Sequence, residues 1–244
     1  MDMEVILFIV VAIICYLVSA LIHEMGHVVC GLLHHWKLYM LVVGPVKLYR
    51  ETMDSKITIG IEKNPILWGG VGGTLPAKAS EENVKVWGKI ILAGPLTSIV
   101  FGVLMIPLVI FTESIMVDLH CLMTIGMGAA CIIPMKIKTG LLYNDGTRYK
   151  RLQSGGQEGA EERAIFKLIE VSLFGGEEVI YPEDLVEPLL ASTDPDFQYY
   201  GYYYAYVNAV RRNRPDEVQV QLANMESIRG KVAKIIVDDC KIVK

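Results

Sequence analysis

Three stretches of the chain stay apolar for long enough to cross a bilayer, and the remaining segments fall between or after them. Residues 5–33 carry no charge ahead of His23. As a helix these roughly 29 residues reach about 43 Å, more than the roughly 30 Å of a hydrocarbon core, so one end tilts or protrudes and brings His23 and His27 near one membrane face. The second span covers about 86–111 and the third about 115–134. Thr112, Glu113 and Ser114 alone separate them, a turn short enough to make the two antiparallel neighbours.

Between the first two spans, 38–76 is more than a connector. Residues 39–43 and 56–61 have strand-like composition, with Gly44-Pro45 and Asn64-Pro65 as breakers. The run Gly69-Gly-Val-Gly-Gly73 reads as flexible and apolar, suited to a membrane surface. Two readings of this loop stay open. It is a hairpin covering one end of the bundle, or an edge strand that receives an extended substrate by strand addition.

From Thr147 onward the composition turns polar. Helical spacing marks 160–174, and 196–213 with 215–229 reads as a helical hairpin, opened by Pro215 with Asp216 and Glu217 at its positive end. Six tyrosines crowd positions 199–206. At helical spacing they cover most faces, which favours packing and interfacial snorkelling over a dedicated binding role. The expected fold is therefore mainly α. A membrane-embedded core of about three transmembrane helices with a small β-hairpin-like loop occupies 1–146, and a soluble cytoplasmic helical domain, open to a protein partner, occupies 147–244.

Charge adds orientation. The loop between the first and second spans carries Lys37, Lys47, Arg50, Lys56, Lys63, Lys78, Lys85 and Lys89, and Lys136, Lys138, Arg148, Lys150 and Arg151 follow the third, whereas the N-terminus and the 112–114 turn carry no Lys or Arg. The positive-inside rule then predicts a multi-pass cell-membrane protein with its N-terminus outside and its C-terminus cytoplasmic. The first residues, Met-Asp-Met-Glu, lack the basic start of a signal peptide, and no small-x-small site precedes the histidines, so the segment reads as a retained helix. The 244 residues are 52% hydrophobic with a net charge of −4 and a mean hydropathy of +0.40. That balance suits a small membrane protein and gives no reason to expect a nucleic-acid partner. Five cysteines, odd in number and without CxxC spacing, give no reason to expect a disulfide framework or a cysteine-based metal site.

Chemistry is concentrated at His23-Glu24-Met25-Gly26-His27. Histidines four apart on a helix share a face and suit one Zn²⁺, and Glu24 beside the first is placed to act on water. Ionisable groups in a membrane-length segment each cost about 2–4 kcal/mol without a purpose, so they mark function. A hydrolytic zinc site needs a third protein ligand. Asp145, in the turn-forming Asn144-Asp145-Gly146, is one candidate, although by residue type alone it reads as an ordinary turn aspartate. His34 competes from the helical face of His27. Asp118 and His120 belong to the far end of the third span and are expected to face water or pair with each other.

HEMGH ending an apolar helix, Ala93-Gly94-Pro95-Leu96 early in the second span and Pro134 followed by Asp145-Gly146 together resemble the site-2 protease family of intramembrane zinc metalloproteases. The likeness covers about 5–150, and the C-terminal part looks like the soluble extension of some bacterial members. The resemblance implies that His23, His27 and Asp145 ligate one Zn²⁺, that Glu24 is the general base, and that Gly94 and Pro95 let the second helix approach the first. It further implies hydrolysis of a peptide bond in a membrane-spanning or membrane-associated protein or peptide, the chemistry of regulated intramembrane proteolysis. Cys131 stands where the family carries an asparagine that helps hold substrate or oxyanion, leaving Asn144 and Cys131 as candidates for that contact. The alternative is a metal-binding membrane scaffold or chaperone that has lost catalysis, against which the intact Glu24 argues.

Overall fold

A computed structural model of the chain describes residues 2–135, 138–139, 142–176 and 178–240. The described residues within 2–77, 85–135 and 144–149 form one compact unit, and those within 78–84, 138–143 and 150–240 form another.

The first unit is built on three helices long and apolar enough to cross a membrane: α1 (Met3–Leu33), α2 (Asn83–Thr112) and α3 (Ile115–Ile132). Much of their apolar surface stays exposed, as at Leu7, Phe8, Leu104 and Ile110, which is the pattern expected where lipid is the solvent. Their packed interior is polar and small. Ser19, Ser98 and Thr124 are fully buried, and the Ser19 hydroxyl bonds Thr124 Oγ1 at 2.8 Å and His120 Nδ1 at 3.2 Å. His120 thus pairs with α1, where a water-facing or Asp118-paired residue was expected. Such hydroxyl and small-residue contacts are what associate helices in a medium where burial of apolar surface gives no drive.

α1 ends by a left-handed stop. His35 adopts φ 63°, and the Trp36 N–H reaches back to the Gly31 carbonyl at 2.9 Å, satisfying one of the last orphan acceptors. The chain then enters an antiparallel sheet of order β3-β2-β1-β4, formed by β1 (Lys37–Val43), β2 (Val46–Tyr49), β3 (Thr58–Ile61) and β4 (Val71–Leu75). Gly44-Pro45 ends β1 as expected, and it is also a two-residue hairpin turn into β2, a strand the sequence reading did not include, with Val43 opposite Val46. The glycine-rich run is also largely a strand: β4 pairs with β1, Leu41 lying opposite Gly72, and packs on α1.

In the second unit, β5 (Lys138–Thr139) pairs with β6 (Leu142–Tyr143). α4 (Asp145–Gln153) begins in the first unit and from residue 150 belongs to the second, which continues with α5 (Gln157–Phe174), α6 (Glu183–Leu190), α7 (Pro195–Arg211), α8 (Pro215–Ile228) and α9 (Lys234–Asp239). α4, α6 and α9 carry too little periodic apolar sequence to be read in advance. Leu168, Leu189, Phe197 and Ile236 form the centre of the core. The tyrosines of α7 pack as expected: Tyr199, Tyr204 and Tyr206 are buried, and Tyr204 meets Tyr181 edge to face at 4.6 Å. Arg151 is buried against the rings of Phe197 and Tyr143, 4.6 and 4.9 Å from their centroids. Its guanidinium bonds Glu161 at 2.6 Å and Glu162 at 3.4 Å.

Candidate metal centre

The helix that carries the histidines fixes their spacing, and α2 aims the rings. His23 and His27 lie one turn apart on the buried face of α1, 4% and 7% exposed. The outer nitrogen of each ring is taken by α2. His27 Nδ1 donates to the Ile90 carbonyl at 2.7 Å, and His23 Nδ1 meets Ser98 Oγ at 3.2 Å. A carbonyl can only accept, so the His27 proton sits on Nδ1 and Nε2 is left with a free lone pair, the tautomer a metal ligand needs. Pro95 lies inside α2, where it removes the N–H due to the Ile91 carbonyl and its ring crowds that turn.

Asp145 arrives from the start of α4. Its Oδ2 lies 3.2 Å from His23 Nε2 and 3.6 Å from His27 Nε2, and the two Nε2 atoms are 3.3 Å apart. Three donor atoms thus form a near-equilateral triangle. With bonds of about 2.05 Å, a tetrahedral zinc site has ligand–ligand edges of about 3.3 Å, so one face of such a site matches the residues present. Cys131 joins the cluster from the last turn of α3: its Sγ and donor atoms of His23 and Asp145 all lie within 4.8 Å of one another.

Glu24 is 9% exposed and points to β4, whose Gly72 N–H donates to its carboxylate. A Cβ on Gly72 would stand 2.9 Å from Glu24 Oε2 and 2.7 Å from its carbonyl oxygen, so the glycines that disguise β4 as a flexible run are what let its backbone approach α1. Gly94 has the same logic, since a Cβ there would lie 2.2 Å from His27 Nε2. Pro95 is fully buried beside it.

Asn144 is employed differently from the substrate or oxyanion contact considered for it. Its two amide hydrogens go to the Ala130 carbonyl at 3.0 Å and the Ile133 carbonyl at 2.8 Å. Its Oδ1 accepts the Thr147 N–H at 3.2 Å. It therefore caps α4 and ties it to the end of α3, with neither hydrogen left for a substrate. Asp145 is accordingly the first helical residue rather than a turn aspartate. His34 is the C-cap of α1, about 10.5 Å along the helix from His27. The residue that sequence reasoning missed is Ser98: a serine in an apolar span, one turn from Gly94-Pro95, was the available signal.

Comparison with curated proteins and with solved structures finds no match. The family model of Peptidase family M50 matches residues 11–240, nearly the whole chain. On that match the protein belongs to Peptidase family M50, the site-2 protease family of membrane-embedded, generally zinc-dependent metallopeptidases.

Proposed function

We propose that the protein is a zinc metalloendopeptidase that hydrolyses a peptide bond of a membrane-spanning or membrane-associated protein or peptide. The observation that carries this reading is the triangle of His23, His27 and Asp145 donor atoms beside the buried Glu24 carboxylate. The two histidines and Asp145 hold one Zn²⁺. When bound, the metal polarises a carbonyl and acidifies water. Glu24 takes the proton of the attacking water and returns it to the leaving amine, a task for which the Gly72 N–H keeps its carboxylate in place. Ser98 and the Ile90 carbonyl orient the imidazoles. A scaffold without catalysis has no use for a carboxylate at position 24, so the hydrolytic reading is preferred.

A helical peptide bond is shielded from attack, and β4, the edge strand next to Glu24, is suited to receive an extended substrate by strand addition. In this reading residues 1–146 are the proteolytic core and 147–244 a cytoplasmic helical domain that meets a protein partner, with the N-terminus outside. Quantitative mass spectrometry of membrane peptides in cells carrying wild type or Glu24→Gln tests the function. The variant should accumulate an uncut membrane substrate and lack its fragments. Indistinguishable peptide populations would remove the reading.

A further inference from the structure

We infer that Cys131 is a fourth donor to the metal, closing in the resting protein the position that a substrate must open. The inference rests on the metal-site reading above and extends it. Cys131 is the penultimate residue of α3, and its Sγ belongs to the same 4.8 Å cluster as the His23 and Asp145 donor atoms. The backbone around it is held firmly. A Cβ on Gly146 would stand 2.0 Å from the Ile132 carbonyl oxygen and 3.2 Å from that of Cys131, so the last turn of α3 bears directly on the first turn of α4. The Asn144 hydrogen bonds to Ala130 and Ile133 lock that junction. Cys131 and Asp145 are thereby presented to one point from the two sides of a single joint.

In a tetrahedral zinc site a sulfur–nitrogen edge measures about 3.6 Å. The sulfur therefore has to close by about 1 Å on His23 and Asp145, and farther on His27, which lies outside that 4.8 Å cluster, by a χ1 adjustment at a helix end. Hydrolytic zinc sites keep one position open, whereas sites with four protein donors are closed. Two imidazoles, a carboxylate and a thiolate make a closed set, and thiolate is the softest and most zinc-seeking donor among them. Ligation forms one sulfur–metal bond, releases the thiol proton to solvent and changes no oxidation state. Opening the site reverses each of these.

The test uses the purified full-length protein in detergent, with Co²⁺ as the spectroscopic probe. Wild type should bind one Co²⁺ per chain with visible bands of a four-coordinate ion and a near-ultraviolet sulfur-to-cobalt charge-transfer band. Cys131→Ser should keep the stoichiometry and lose the near-ultraviolet band, while Cys121→Ser, whose thiol donates to the Gly102 carbonyl in wild type, keeps both. Alkylation of Cys131 in wild type, mapped by peptide mass spectrometry, should slow by about tenfold or more on metal loading. Cobalt bound without the near-ultraviolet band, a band that survives Cys131→Ser, or alkylation indifferent to metal overturns the inference and leaves the three-residue site standing. Absence of cobalt binding overturns both.

Discussion

His27 Nδ1 donates to the Ile90 carbonyl at 2.7 Å, and this bond decides which nitrogen of the ring is free to meet Asp145 and His23. The donor is on the metal-motif helix and the acceptor on α2, one turn before Gly94-Pro95. Two sequence motifs some seventy residues apart are therefore parts of one device.

Gly94→Ala tests that device. Its Cβ would stand 2.2 Å from His27 Nε2, so the ring must leave the triangle. Zinc affinity, measured against a competing chelator, should fall by about 10–100-fold or more. Gly126→Ala, which meets nothing within 4 Å, should leave it unchanged.

Asp145→Ala removes the proposed third ligand outright and should weaken zinc binding by more than Ser98→Ala. The serine change takes away only the partner of His23 Nδ1, which is worth about 10–100-fold in affinity. His34→Ala should leave zinc content as it is. A site stripped by His34→Ala and spared by Asp145→Ala would show that α1 completes the site by itself.

Orientation is checked by cysteine labelling from the outer face of intact cells. Thr112→Cys should react with an impermeant maleimide and Ser80→Cys should not, and a reporter after Lys244 should be cytoplasmic. The opposite pattern would invert the depth assigned to the metal.

Arg151→Ala tests the core of the second unit. It leaves Glu161 and Glu162 buried, 4% and 0% exposed, without the cation that bonds them, and removes the cation packed on the Tyr143 and Phe197 rings. Breaking such a buried ion pair costs about 3–5 kcal/mol. Denaturant unfolding followed by tyrosine near-ultraviolet circular dichroism should show that loss.

The spans and the His-Glu-His motif were legible because both signals are local: twenty-odd apolar residues in a row, and ligands one helical turn apart. Residues whose roles depend on tertiary neighbours were not. β4 lacks strand-forming composition because Gly72 is dictated by the approach of Glu24, which lies almost fifty residues earlier. Asn144 looked like a turn or an oxyanion donor, and only the carbonyls of Ala130 and Ile133 reveal it as a helix cap. Gly44-Pro45 rightly reads as ending a strand, but turn residues read alike whether the chain stops there or doubles back, so β2 was missed.

The most direct measurement takes zinc content and cleavage of a membrane substrate from the same purified samples of wild type and Glu24→Gln. Both proteins should hold about one zinc per chain, since Glu24 is no ligand in this account. Turnover in the variant should drop by about 10²–10⁴-fold or more for want of a proton acceptor. Undiminished cleavage with zinc retained would contradict the assignment of Glu24, and with it the hydrolytic mechanism proposed for this protein.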